Sequence, residues 1–340
     1  MKNMLACEGF FIETYDGLIF DVKGHIHPEN KIISFIRYFP AIDGNRKRNG
    51  VKYKKVYSIS DRTEILRKIH PEYLFYDPIL DTNLQGVLNK DIKYIYNPVN
   101  FRLTLKKKQN LTSLQKSALN FTDILINSTN CDENKIGISG SLMVDLETKN
   151  SDIDIIIYGA KNVRMVYDNM SKIFSDKNDI NRYSIDQYKK LYKFKRKDTK
   201  ISWKDFIKIE SRKLFQGIFK GIDFYIRGIK DWDEIEYSYG DFKIKNYGYA
   251  TIKGRIKNNS ESIFTPCIYK TYETEILTKN FPDLQIDEIF SYRGRFSELL
   301  NEGESFIAHG KIEKVITNTK SSYYRLIVGS SKNDYLKLVD

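Results

Sequence analysis

The apolar runs over residues 1–105 are short and separated by turn residues, which predicts a β-rich module. Phe10–Tyr15 and Leu18–Val22 flank Asp16-Gly17, a hairpin signal. Lys31–Phe39 reads as a strand closed by Pro40, and Val51–Ser58 as another after the polar turn Asp43-Gly44-Asn45. Asp61–Ile69 predicts a short helix that stops at His70-Pro71, because the residue before proline disfavours the helical region. Over 106–239 the pattern becomes helical. Thr112 with Gln115 forms a capping box, and Leu114, Ala118, Phe121 and Leu125 recur at helical spacing. Val163, Val166, Met170, Ile173 and Phe174 mark one face of a helix over 161–175. Ser184 with Gln187 caps a third helix, and Ser202 starts a fourth carrying Trp203, Phe206, Ile207 and Phe215. From 240 to 340 strands return, at 243–256, 262–269, 288–292, 305–316 and 323–328, as in a small β-barrel or sandwich. The pattern predicts an α+β protein: a central mixed sheet with flanking helices between two small β-rich modules.

Within the central module, apolar strands carry acids. Asp152-Ile153-Asp154 opens the run Ile155-Ile156-Ile157-Tyr158. Acids one residue apart on a strand point to the same face, roughly 6–7 Å apart at the backbone. Carboxylates held that close repel unless a cation sits between them. Upstream, the strand Lys135–Ser139 leads into Gly140-Ser141, a turn whose backbone N–H groups suit a phosphate. A third acid, Asp223, lies in the apolar strand GIDFYI, where burial is costly unless it is paired or metal-bound. Just before that strand, Arg212 and Lys213 on the last helix are candidate cations for a triphosphate.

Composition adds less. No apolar run approaches the ~20 residues that cross a bilayer, and the start lacks the features of a signal peptide, so a cytoplasmic protein without membrane partners is expected. Cys7, Cys131 and Cys267 form neither a CxxC pair nor zinc spacing. The net charge of +12 favours a polyanionic partner or substrate. The segment 189–200, KKLYKFKRKDTK, interleaves basic and aromatic residues, as a nucleic-acid-tracking surface or a solvated helix would. His25 and His27 share a strand face without a third metal ligand in view.

Taken together, Gly140, Ser141, Asp152, Asp154 and Asp223 resemble the signature of the nucleotidyltransferase superfamily that includes DNA polymerase beta. The match covers about residues 112–230, and makes the central sheet nucleotidyltransferase-like. The resemblance implies a two-metal mechanism. Asp152, Asp154 and Asp223 would hold two Mg²⁺ or Mn²⁺ ions, and an acceptor hydroxyl would attack the α-phosphorus of an NTP, releasing pyrophosphate. Gly140, Ser141, Arg212 and Lys213 would bind the nucleotide. One departure stands out: many members have glycine where this chain has Asp145. More loosely, DGLIFDVKGHIHP, SYRGRF and EGESFIAHGKIEKV resemble an uncharacterised archaeal family of nucleotidyltransferase-like proteins with β-rich flanks. The acceptor stays open among RNA, a protein side chain and a metabolite, with the charge tilting toward RNA. Two rival readings remain: a non-catalytic nucleotide- or nucleic-acid-binding module, and a phosphodiesterase or nuclease.

Overall fold

A computed structural model describes residues 6–176, 179–197, 199, 201–319 and 321–339. Asp198 and Lys200, the end of the basic-aromatic segment, lie outside the described residues. The chain forms two compact units. The first comprises Met1–Asp77, Thr82–Ile180 and Ile218–Tyr239, and the second Pro78–Asp81, Asn181–Gly217 and Gly240–Asp340. Helices and several sheets together make it an α+β protein. Among the described residues no helix is long and apolar enough to cross a membrane.

Two sheets lie wholly or mainly in the first unit. In the N-terminal sheet, Phe11–Thr14 and Ile19–Val22 pair as the hairpin expected around Asp16-Gly17. Ile19–Val22 then pairs with Lys31–Pro40, and that long strand pairs with Val51–Lys55 at one end and Thr82–Leu88 at the other. The strand at 51 ends earlier than expected, because Ser58 caps the helix Ile59–Ile69 through Asp61 N. The strands Leu74–Asp77, Thr82–Leu88 and Ile92–Tyr96 carry weaker patterns that the reading by runs passes over. Lys106 and Lys107 end a helix, Pro98–Lys107, whose start is capped by Asn97.

The other sheet is mixed. Its order is Ile180–Asn181, Gln216–Phe219, Ile222–Ile229, Ile153–Tyr158, Ile136–Ile138. Ile153–Tyr158 runs parallel to Ile222–Ile229 and antiparallel to Ile136–Ile138. The helices Ser113–Thr129 and Ala160–Ser175 supply its packing, with Phe121 stacked on Phe219 at 5.1 Å. The expected capping box of Thr112 and Gln115 is present in both directions. Ile156, Tyr158 and Ile229 of the mixed sheet are buried in one core with Phe10, Phe20, Val22 and Ile36 of the N-terminal sheet. The two sheets therefore share a hydrophobic interior rather than standing as separate beads.

In the second unit the strands Phe242–Asn258, Cys267–Ile276, Glu288–Ser291, Ser322–Ile327 and Ser305–Thr317 pair in that order, and the last closes back on the first. Closure removes the sheet edges and selects a barrel over a sandwich. Glu288–Ser291 and Ser322–Ile327 pair in parallel. A further strand, Tyr335–Val339, adds to Ser305–Thr317. The second barrel strand begins at Cys267 rather than 262, because Pro266 before it offers no N–H to a ladder. Ile209, in the helix Trp203–Glu210, joins the barrel core with Leu299, Phe306 and Leu336. That helix ends at Glu210, so Arg212 and Lys213 lie beyond it rather than on it.

Candidate functional site

The Gly-Ser turn and the acid pair meet through backbone pairing. Ile136–Ile138 lies antiparallel to Ile153–Tyr158, and Ser139 N donates to Asp154 O at 2.9 Å. Gly140 follows with φ of 68°, and a Cβ there would overlap the Asp154 carboxylate. Glycine is required twice over, by conformation and by space. Ser139 Oγ donates to Gly9 O at 2.8 Å, tying the turn to the N-terminal segment. Ser141 is buried, and its Oγ donates to Ser151 Oγ at 3.1 Å. Ser151 Oγ also accepts from Thr148 N at 2.9 Å, which fixes the loop leading to Asp152. Asp145 has φ of 52° and is exposed. It adopts the left-handed conformation, which aspartate tolerates better than most residues.

Parallel register sets the third acid. Ile153 lies opposite Phe224 and Asp154 opposite Tyr225. One step earlier, Asp223 falls beside Asp152 on the same sheet face, and both are exposed. Among the described residues no group of three His, Cys, Asp or Glu side chains is close enough to hold a metal ion. The carboxylates brought into strong interaction are Asp152 and Asp154. Burial, then repulsion from Asp152, pushes the Asp154 carboxyl up to about 7, against partial relief from Arg227, Lys55 and Arg37.

A cleft of about 60 Å³, room for a few water-sized groups, opens at this point. Its lining joins Gly140, Ser141 and Asp154 of the mixed sheet to Arg37, Tyr38 and Lys55 of the N-terminal sheet, with Asp21 and Arg227 also present. Arg227 donates to Glu8 Oε1 at 2.8 Å. Burial alone would raise the Asp21 carboxyl, but Lys23, Arg227 and Arg37 pull it down to about 2. Lys55 differs: burial and then neighbouring Arg37 hold its ammonium down to about 8, although Asp152 and Asp154 oppose the shift. Arg46 reaches the same region and donates to Leu146 O, in the loop between the turn and Asp152.

Arg212 and Lys213 sit in the second unit, on partners of that unit. Arg212 Nη1 donates to both Glu304 carboxylate oxygens at 2.8 Å. Lys213 is buried, donates to the carbonyls of Gly294 at 3.2 Å and Arg295 at 2.9 Å, and lies 3.6 Å from Glu210. Arg295 in turn donates to Thr199 Oγ1 at 2.6 Å. His27 is likewise structural, bonded to Ala6 O at 2.9 Å and Ile33 N at 3.2 Å. Two of the cations that line the cleft, Arg37 and Lys55, lie about a hundred residues before the acids. Their only sequence signal is a basic residue within or at the end of an otherwise strand-like run.

Compared with known proteins, the chain is 31% identical over 339 residues to the uncharacterized protein MJ1086 of Methanocaldococcus jannaschii, a match spanning 96% of this chain and 97% of that protein. No protein-family model matches the chain, and no solved structure matches it.

Proposed function

The chain belongs to the family of that archaeal protein, and we propose that it is a metal-dependent nucleotidyltransferase built on a nucleotidyltransferase-like mixed sheet. The observation that carries the reading is the Asp152–Asp154 pair abutting a position where only glycine fits. The pair suits a divalent cation. Its donors are oxygens alone, neither acid has an ion pair among the described residues, and their mutual repulsion is what a cation would relieve. Asp152 and Asp154 would hold Mg²⁺ or Mn²⁺, two ions in the reading that the resemblance implies, with Asp223 as the ligand from the adjacent strand. When bound, the metal lowers the pKa of an acceptor hydroxyl and offsets phosphate charge.

The chain's own residues have separable tasks in this reading. Gly140 leaves the space against Asp154, and Ser141 holds the loop through Ser151. Exposed Asp223 is the group open to an incoming hydroxyl and accepts its proton at a carboxylate oxygen. The hydroxyl oxygen bonds to the α-phosphorus, the bond to the bridging oxygen breaks, and pyrophosphate departs. RNA is the acceptor we favour. Residues 181–217 carry twelve Lys or Arg against four Asp or Glu, and Phe194 within them is 54% exposed.

The test is to incubate the protein with each α-labelled NTP, Mg²⁺ or Mn²⁺, and total RNA, then follow label uptake and pyrophosphate release. Asp152→Ala with Asp154→Ala should abolish transfer while circular dichroism stays unchanged. Transfer undiminished in that double variant would sink the mechanism. Nucleotide binding without turnover favours a non-catalytic module, and release of mononucleotides from RNA favours a phosphodiesterase.

A further inference from the structure

We infer that Arg37 and Lys55, carried by the N-terminal sheet, form a seat for the metal-chelated polyphosphate tail of the nucleotide. Arg37 lies within the strand Lys31–Pro40 and Lys55 ends its partner Val51–Lys55, with Lys55 opposite Tyr38. Both cations flank one ring: the Arg37 guanidinium lies 5.7 Å, and Lys55 Nζ 5.2 Å, from the Tyr57 centroid. Both line the cleft with Asp154.

Three nearby cations of this unit have carboxylate partners: Lys23 with Glu8 and Asp21, Arg48 with Glu13, Arg227 with Glu8. Arg37 and Lys55 have none within ion-pair distance among the described residues. Burial, and after it the neighbouring Arg37, holds the Lys55 ammonium down to about 8. Charges removed from water are ordinarily paired, so two adjacent half-buried cations that meet Asp21 and Asp154 only beyond ion-pair distance point to an anion that arrives from outside.

The opposite lining narrows the choice of anion. Asp154 and its neighbour Asp152 would repel a simple phosphate or carboxylate. They accept one that brings its own divalent cations. A chelated polyphosphate satisfies both walls at once, metal toward the aspartates and phosphate oxygens toward Arg37 and Lys55. This assignment rests on the nucleotidyltransferase reading only for the role of the aspartates.

The probe is inorganic tripolyphosphate, titrated calorimetrically into the full chain with and without Mg²⁺. Wild type should bind it with Mg²⁺ and at least tenfold more weakly without. Arg37→Met with Lys55→Met should weaken binding with Mg²⁺ at least tenfold, and Lys55→Arg made alone should retain most of the affinity. Asp152→Asn with Asp154→Asn should remove the Mg²⁺ requirement, because the repulsion is gone. Wild-type affinity in folded Arg37→Met/Lys55→Met overturns the seat, as does no binding by wild type. The two readings fail differently. Label transfer with unchanged KM for NTP in that double variant leaves nucleotidyl transfer standing without the seat. Tripolyphosphate binding that depends on both cations, with no transfer to any acceptor, leaves the seat standing without the reaction.

Discussion

Gly140 is the residue against which the Asp154 carboxylate is packed: no side chain can be added at 140 without overlapping it. Gly140→Ala would also impose an L side chain on φ of 68°. The left-handed conformation alone costs roughly 1–2 kcal/mol, and displacement of Asp154 comes on top. The expected outcome is a folded protein with a small loss of Tm but without Mn²⁺ binding, read by electron paramagnetic resonance of free Mn²⁺. Retained Mn²⁺ affinity would separate the turn from the acid pair.

Asp154→Asn should stabilise the metal-free protein. It removes a like-charge repulsion with Asp152 and keeps the side-chain shape. A gain on the order of 1 kcal/mol is expected, as for other sites where function opposes stability. Adding Mg²⁺ should then raise the Tm of wild type, by roughly 3 kcal/mol of stabilisation at a hundredfold excess over Kd, and leave the variant unmoved. Equal responses to Mg²⁺ would remove the pair as the binding group.

Lys213→Met tests a different role for a cation expected to bind the nucleotide. Lys213 satisfies two carbonyls and lies beside Glu210 with no exposure of its side chain. Truncating one partner of such a buried pair costs roughly 3–5 kcal/mol. A drop in chemical-denaturation stability of that size is expected. A variant as stable as wild type would show that the charge is not structural.

His70 should make stability depend on pH. Burial alone would lower its imidazole, but hydrogen bonds with Glu72 at 2.8 Å and Asp16 at 2.7 Å raise it above its ordinary value of 6.5. A base raised on folding contributes fully below its unfolded pKa and loses that contribution as pH climbs through the folded one. His70→Gln should therefore cost about 1 kcal/mol near pH 5.5 and close to nothing near pH 8.5, measured by urea denaturation. A pH-independent loss would assign His70 to packing on Tyr73, on which it stacks at 4.9 Å.

Local signals carried much of this architecture. Asp16-Gly17 predicted a hairpin, and the hairpin is there, its register centred on Asp16 rather than on a two-residue turn. Thr112 and Gln115, like Ser184 and Gln187, announced helix starts through side chains only three residues away. Long-range partners were not legible. Nothing adjacent to Arg212 or Lys213 marks them for Glu304 and Glu210, and nothing adjacent to Arg37 or Lys55 marks them for a cleft with Asp154. Such pairings depend on sheet order, which periodicity does not encode. Asp223 falls between: its strand was readable, and only the parallel register with Ile153–Tyr158 sets it beside Asp152.

Arg46 reaching to Leu146, and Ser139 to Gly9, stitch the beginning of the chain onto the loop that presents the acids. The site is thus not portable. A fragment begun at residue 106 would bare Ile156 and Tyr158 to water and leave the aspartates without a facing wall. Recombination that swaps the first hundred residues between distant relatives should break the protein unless the acid-bearing half travels with them.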